Sequence, residues 1–140
     1  MCSSDLLAMT AHILYPALDA KDCATFSPIV MRYIREEIGF DGLIMSDDLS
    51  MKALGGSFGE RAARALDAGC DLVLAGNGAL IGEAGSRDLF AEAREVAAAS
   101  RPLSPESLAR ANAAADLRRA PNPAEEAALL TEWQQLLAAA

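Results

Sequence analysis

The chain has 140 residues, a formal net charge of −8 and 52% apolar residues. This length suits one ordinary domain with a buried core, and the acidic balance argues against nucleic acid or an anionic membrane as a partner. No apolar run approaches the roughly 18 residues of a membrane span, and no basic segment followed by an apolar core indicates a signal peptide. Together these features predict a soluble, cytoplasmic protein.

The first six residues read MCSSDL and resemble the translation of a common short-read sequencing adapter. We expect residues 1–6 to be a sequencing artefact and the chain to be a truncated reading of a longer one. No function is therefore assigned to them. The cysteines at positions 2, 23 and 70 have neither metal-ligand spacing nor an even disulfide framework, which predicts free thiols.

Three short apolar segments predict strands, over residues 7–13 (LAMTAHI), 42–46 (GLIMS) and 71–75 (DLVLA). Each is nearly continuous in apolar character, which is typical of strands buried on both faces of a parallel sheet. A helix signal follows each strand, so the order predicts parallel strands joined by crossover helices. The loops over residues 15–26 and 47–56 are longer than most loops between a strand and a helix.

The predicted helices have recognisable ends. The first starts at Ser27, followed by proline, and stops at Gly39. The second starts at Ser57, which has capping-box spacing to Glu60, and stops at residue 69. The third is predicted over 81–99. The apolar face of the first helix is expected to carry Val30, Ile34 and Ile38, flanked by Met31 and Tyr33.

The alanine-rich tail over residues 102–140 predicts two more capped helices, starting at Ser104 and Asn122. We expect this helical extension to pack on the wall of the preceding domain, with a partner-binding helix as the alternative. The second tail helix is predicted to present one apolar face, made of Leu129, Leu130, Trp133, Leu136 and Leu137.

Two aspartates, Asp47 and Asp48, directly follow the second strand. Because successive strand side chains point to opposite faces, the two carboxylates cannot address one pocket in the same way. One can serve as an ionised nucleophile held on a rigid element, and the other can bind backbone N–H groups of the loop. The pair alone leaves open a purely structural role for both.

Six strings occur in order: MTAHI (9–13), YPALD (15–19), TFSP (25–28), GFDG (39–42), SDDLSM (46–51) and AGCDLVL (68–74). In this order they resemble the β-N-acetylhexosaminidases of glycoside hydrolase family 3, over about residues 7–77. The resemblance implies an α/β fold in which residues 7–101 form the C-terminal part, three βα units, of a (β/α)8 TIM barrel, followed by the helical extension. It also implies hydrolysis with retention, without metal or organic cofactor.

The first aspartate of the SDDLSM string is the family's nucleophile, and it maps to Asp47. Family members also carry a KHFPGHG string and then an Asp-x-His pair that supplies the general acid/base. Neither occurs here, and the single histidine, His12, lies in the MTAHI string. The resemblance implies that both elements belong before Leu7, so we expect this chain to be inactive alone.

Two further residues are candidates for substrate binding. His12 lies near the end of the first strand, where it either contacts the sugar pocket or forms structural hydrogen bonds. Met51, two residues beyond Leu49, either lines the pocket or packs in the core. The sequence leaves both choices open.

The resemblance implies removal of terminal β-linked N-acetylglucosamine from small saccharides. For a cytoplasmic bacterial member it implies muropeptide substrates in peptidoglycan recycling, with a monomeric full-length parent. Two alternatives remain. One is a family 3 β-glucosidase fragment, although those enzymes usually add a second, sandwich domain. The other is a non-catalytic barrel remnant or helical interaction module.

Overall fold

The computed structural model describes residues 6–76, 89–117 and 123–138. No helix in these ranges is long and apolar enough to span a membrane. A 3-10 turn (Ala24–Phe26) precedes the first helix, and one π-helical turn (Tyr33–Glu37) extends it. The strands and helices are β1 (Leu7–Met9), α1 (Pro28–Arg32), β2 (Leu43–Asp48), α2 (Phe58–Ala68), β3 (Leu72–Leu74), α3 (Leu89–Ala99), α4 (Pro105–Asp116) and α5 (Pro123–Ala138).

The three strands form one parallel sheet in the order β1-β2-β3. This confirms the prediction of parallel strands in sequential order. The first strand is shorter than predicted and ends at Met9. Beyond it, Thr10 N–H still donates to the Met45 carbonyl at 2.9 Å, but Asp47 N–H donates to the Thr10 hydroxyl rather than to a carbonyl. A side-chain oxygen thus ends the ladder on this side of β2.

The pairing of β2 with β3 is irregular between Met45 and Asp48. The fully buried hydroxyl of Ser46 accepts a hydrogen bond from Leu74 N–H at 2.9 Å. This hydroxyl occupies the place of a ladder carbonyl, and such irregularities bend the end of a strand. The irregular stretch between Met45 and Asp48 includes Asp47.

Helix α1 begins as predicted, because the Ser27 hydroxyl accepts from Val30 N–H at 3.1 Å. The π turn that follows is closed by a bond of 3.0 Å from Ile38 N–H to the Tyr33 carbonyl. This wider turn breaks the 3.6-residue spacing, so Ile38 is 50% exposed and the prediction that it joins the apolar face is wrong. Gly39, with a φ of 71°, ends the helix as predicted.

The core lies between the sheet and helices α1 and α2, and Ile44 is its fully buried contribution from β2. Because side chains alternate along a strand, Asp47 lies with Leu43 and Met45 on the opposite face. On that face Leu7 and Met9, which pair with Leu43 and Met45, are 48% and 54% exposed. One face of the sheet is therefore packed. The face that carries Asp47, here called the open face, is exposed along β1 and partly exposed at Met45 and Asp47, whereas Leu43 on it is buried.

The second helix, α2, has the predicted capping box. The Ser57 hydroxyl accepts from Glu60 N–H, and the Glu60 carboxylate accepts from Ser57 N–H. Gly69 follows the helix with a φ of 121°, which confirms the predicted end.

The buried carboxylate of Asp71 joins four elements at the amino end of the strands, opposite the end that carries Asp47. Asp71, just before β3, accepts from the guanidinium of Arg35 at 2.6 Å and from Ile44 N–H at 2.8 Å. It also accepts from the Ser107 hydroxyl and from Arg110 at 3.2 Å, which brings in α4. Asp71 therefore connects the π turn, the central strand β2, the start of β3 and helix α4.

The tail helices occur where the sequence predicts them in the described ranges. The Ser104 hydroxyl caps α4 by accepting from Ser107 N–H, as predicted. Residues 81–88 of the predicted third helix and Asn122 lie outside the described residues. The expected packing of α5 on the domain is not observed in the described part of the chain, because these apolar side chains are exposed: Leu129, Leu130, Trp133 and Leu137.

Candidate active site at the carboxyl ends of the strands

The carboxylate of Asp47 lies at the carboxyl end of the central strand, on the open face of the sheet. Its Oδ1 accepts a hydrogen bond of 2.7 Å from Asp48 N–H. Among residues 6–76, 89–117 and 123–138, no other group donates to this carboxylate. A partly exposed carboxylate with one uncommitted oxygen is available to an incoming electrophile.

Asp48 points the other way and ties two loops together. Its Oδ1 accepts from Ser50 N–H and from Gly76 N–H, both at 2.9 Å. Desolvation acts to raise the pKa of Asp48, but the hydrogen bonds from Ser50 and Gly76, together with nearby His12, outweigh it and lower this pKa. The structure therefore gives Asp48 the loop-binding role and leaves Asp47 open.

The lowered pKa of Asp48 predicts an acid-sensitive contribution to folding. A depressed carboxylate pKa stabilises the folded chain above its ordinary value of 3.8, and this stabilisation is lost as the pH falls further. We expect Asp48→Asn to cost roughly 1–2 kcal/mol of unfolding free energy at neutral pH, since charge-assisted bonds are replaced by neutral ones. The difference between wild type and variant should shrink below about pH 4 in urea titrations. A difference that stays constant down to pH 3 would rule out a role for the charge.

His12 lies beside the aspartates, with both ring nitrogens bonded within the protein. Nδ1 is 2.8 Å from the Thr25 hydroxyl oxygen, and Nε2 is 2.9 Å from the Asp48 carbonyl oxygen. Thr25 is fully buried, and its hydroxyl is 2.9 Å from that of Thr10. A substrate contact through a ring nitrogen of His12 would have to displace one of these partners, and the predicted substrate contact remains untested.

Sequence reasoning missed both threonines of this site. They stand in the MTAHI and TFSP strings, which was the available signal, but nothing in the strings shows that residues 15 positions apart share a hydrogen bond. The hydrogen bond of 3.2 Å from Asp47 N–H to the Thr10 hydroxyl was likewise not predictable, because it joins the second strand to the residue after the first.

The loop after β2 is anchored at both ends, which fixes the approach to Asp47. Leu49 and Leu54 are buried, and the Arg61 guanidinium donates to the carbonyl oxygens of Leu49 at 2.6 Å and Gly56 at 3.0 Å. Met51 lies between these anchors and is 43% exposed. Its predicted contact with substrate remains a prediction, and its exposure leaves it accessible.

The long loop before α1 is held by Asp19. Its carboxylate accepts from the backbone N–H groups of Lys21 and Asp22 and from the Ser27 hydroxyl at 2.7 Å. The Ser27 hydrogen bond, followed by the two backbone ones, lowers the pKa of Asp19. Both loops at this edge of the sheet are thus built around internal hydrogen bonds. Within the described ranges, no three His, Cys, Asp or Glu side chains gather closely enough to hold a metal ion.

Comparison with known proteins points to one family. The profile of the glycosyl hydrolase family 3 N terminal domain matches residues 3–95. The chain is 44% identical over 68 residues to a protein of Methylobacillus flagellatus named Beta-hexosaminidase, covering 47% of this chain and 20% of that protein. A Beta-hexosaminidase of Vibrio cholerae is 46% identical over 68 residues, which cover 47% of this chain and 21% of that protein. The chain thus spans about a fifth of the length of these relatives.

Two solved structures with similar names superpose on this chain. A glycoside hydrolase family 3 beta-N-acetylglucosaminidase from Paenibacillus sp. superposes with a TM-score of 0.60 at 29% identity, covering 84% of this chain and 24% of that one. A Beta-N-acetylhexosaminidase from Beutenbergia cavernae superposes with a TM-score of 0.52 at 31% identity, covering 79% and 31%.

Proposed function

This chain belongs to glycosyl hydrolase family 3, and on that basis we propose that it carries the nucleophile of a retaining β-N-acetylhexosaminidase. The observation that carries the proposal is the placement of Asp47 at the carboxyl end of a central parallel strand, on the open face of the sheet. Catalytic groups of barrel enzymes lie at that end of their strands. The names of the relatives, Beta-hexosaminidase, support the reaction class.

In the proposed reaction, the Asp47 carboxylate attacks the anomeric carbon as the glycosidic C–O bond breaks. The leaving oxygen takes a proton from a general acid, and a covalent glycosyl-enzyme intermediate forms. Water, deprotonated by the same acid/base group, then releases the sugar with retained configuration. The mechanism needs no metal or organic cofactor. Asp48 takes no proton in this scheme and holds the loops that flank the nucleophile.

For the fold, we propose that residues 7–101 are three βα units of a (β/α)8 barrel and that residues 102–140 are a helical extension. The open face would be the barrel interior, since Leu7 and Met9 share it with Asp47. The genomic sequence before codon 7 tests this proposal and the adapter origin of residues 1–6. An open frame encoding KHFPGHG and an Asp-x-His pair is expected, and a stop codon directly upstream would contradict it.

As substrate we propose a terminal β-linked N-acetylglucosamine of a muropeptide, in cytoplasmic peptidoglycan recycling, with no nucleic acid or membrane partner. A family 3 β-glucosidase is the alternative within the family, and paired chromogenic N-acetylglucosaminide and glucoside assays separate the two. A second candidate function, a helical interaction module, is favoured by the exposed apolar side chains of α5, such as Trp133 and Leu137. Removing 118–140 should then abolish partner binding while leaving the urea unfolding transition of the rest of the chain unchanged.

We expect the 140-residue chain alone to show no hydrolysis of a chromogenic N-acetylglucosaminide. The single histidine is committed to Thr25 and Asp48, and no general acid in the family's Asp-x-His pattern occurs, so the leaving group would depart unprotonated. The matched comparison is a hybrid enzyme in which residues 7–76 replace the matching segment of the Vibrio cholerae Beta-hexosaminidase. The hybrid enzyme should be active, and measurable turnover by the chain alone would contradict this prediction.

A further inference from the structure

A continuous series of hydrogen bonds runs behind the candidate nucleophile. It starts at Asp47 N–H, passes through the hydroxyls of Thr10 and Thr25, reaches Nδ1 of His12 and continues from Nε2 to the Asp48 carbonyl. The four distances are 3.2, 2.9, 2.8 and 2.9 Å. The series therefore begins and ends on the two adjacent residues of the aspartate pair.

The histidine end sets the direction of this series. The Asp48 carbonyl only accepts, so Nε2 carries the proton and, in a neutral imidazole, Nδ1 accepts from the Thr25 hydroxyl. Thr25 then accepts from Thr10, and Thr10 accepts from Asp47 N–H. The bond from Asp47 N–H to the Thr10 hydroxyl is compatible with this order, because a hydroxyl oxygen can accept one bond while its proton is donated to another. Every donor meets an acceptor, in a region where both threonines are buried.

We propose that this relay of Thr10, Thr25 and His12 is a positioning network that fixes the backbone of Asp47 and Asp48, so that the Asp47 carboxylate faces the reacting carbon. The inference rests on the proposed function for its catalytic meaning. It assigns His12 a role behind the nucleophile and gives Thr25, which touches neither aspartate in the described hydrogen bonds, an effect on both.

The relay is suited to this task because it bonds the backbone before Asp47 and the backbone after Asp48. Asp47 N–H and the Asp48 carbonyl flank the two α-carbons, so bonds at these groups restrain the torsions that aim both side chains. The ladder with β1 has already ended there, and the β2–β3 pairing is irregular at the same place. Without the relay, the Asp48 side-chain bonds, the bond from Leu49 N–H to the Leu74 carbonyl and the bond from Met51 N–H to the Asp48 carbonyl would remain, but Asp47 N–H would lose its acceptor.

The test uses two variants that separate hydrogen bonding from packing. Thr25→Val keeps the shape of the side chain and removes the hydroxyl, whereas Thr25→Ser keeps the hydroxyl and removes a methyl group. A relay predicts that valine is harmful and serine is tolerated; a packing role predicts the reverse. The second pair is His12→Gln, whose amide can accept from Thr25 and donate to Asp48, and His12→Leu, which can do neither. His12 is only partly buried, so this pair serves if Thr25→Val fails to fold.

The first measurement is amide hydrogen exchange by NMR in the full 140-residue chain. We expect exchange of Asp47 N–H to accelerate about tenfold in Thr25→Val and His12→Leu, and to remain near wild type in Thr25→Ser and His12→Gln. Leu43, in the same strand, donates to the Leu6 carbonyl and should be unaffected, which provides the internal control. Serine equal to or worse than valine, or no change in any variant, would overturn the inference.

The second measurement is steady-state kinetics of the same variants in the hybrid enzyme. Thr25→Val and His12→Leu should lower kcat about 10- to 100-fold with KM nearly unchanged, because a misaimed nucleophile weakens the reaction rather than binding. An unchanged kcat would overturn the positioning role even where exchange responds. If instead the hybrid enzyme stayed active after Asp47→Ala, the proposed function would fall, and with it the catalytic meaning of the relay, while the exchange result would still stand.

Discussion

Replacing Asp47 by alanine should reduce turnover of the hybrid enzyme by roughly four or more powers of ten, because the covalent route to the product is removed. The free energy of unfolding should change little. The Asp47 side chain accepts one local hydrogen bond, from Asp48 N–H, and lies on the open face of the sheet. Initial rates on a chromogenic N-acetylglucosaminide, together with urea unfolding of both proteins, measure the two effects.

The matched control for this prediction is Asp48→Asn, which alters the neighbouring carboxylate. It should lower activity much less and stability more, since Asp48 holds Ser50 and Gly76. A fluorosugar that traps the covalent intermediate should label Asp47 and no other residue. If Asp48→Asn were the inactive variant and Asp47→Ala remained active, the assignment of the nucleophile would be wrong.

The largest expected loss of stability comes from Asp71→Ala. This change removes the buried carboxylate that pairs with Arg35 and Arg110, and it removes the acceptor of Ile44 N–H and of the Ser107 hydroxyl. Breaking a buried ion pair by removing one partner typically costs about 3–5 kcal/mol; we expect about 3, since both arginines keep some contact with water. Urea unfolding of the chain, followed by circular dichroism, measures this loss.

Asp41→Ala is the control for charge alone. Asp41 is 97% exposed and lies 3.6 Å from the Nε atom of the same Arg110. Exposed ion pairs contribute little to stability, so the unfolding midpoint should hardly move. Equal losses in the two variants would show that the buried network around Asp71 has no special weight.

Features that depend on neighbouring residues were predictable from the sequence. Ser27 and Ser57 cap their helices through bonds to N–H groups three residues ahead, so a local pattern suffices. The parallel order of strands also followed, because each apolar run is succeeded by a helix signal. The position of Asp47 at the end of β2 follows from the same reasoning, whereas its role as nucleophile remains a prediction.

Features that depend on distant residues were not predictable. The relay joins residues 15, 13, 36 and 37 positions apart, and one sequence does not show that they meet. Asp71 looked like the polar start of an apolar strand, and its partners lie up to 39 positions away. The exposure of Ile38 follows from a π turn, which an apolar pattern of ordinary helical spacing does not reveal.

The π turn connects a surface segment to the buried Asp71, and this connection should be visible in the sequences of relatives. Arg35 lies within the turn and reaches the carbonyls of Phe40 and Gly42 as well as Asp71. Deleting one residue there would restore α-helical winding and rotate the helix register by about 100°. The Arg35 guanidinium would then move away from Asp71, which would keep Ile44 N–H, the Ser107 hydroxyl and Arg110 as donors. Relatives one residue shorter across 33–37 should therefore have replaced the arginine, even though the neighbouring side chains of Glu36 and Glu37 are exposed and would tolerate a change of length.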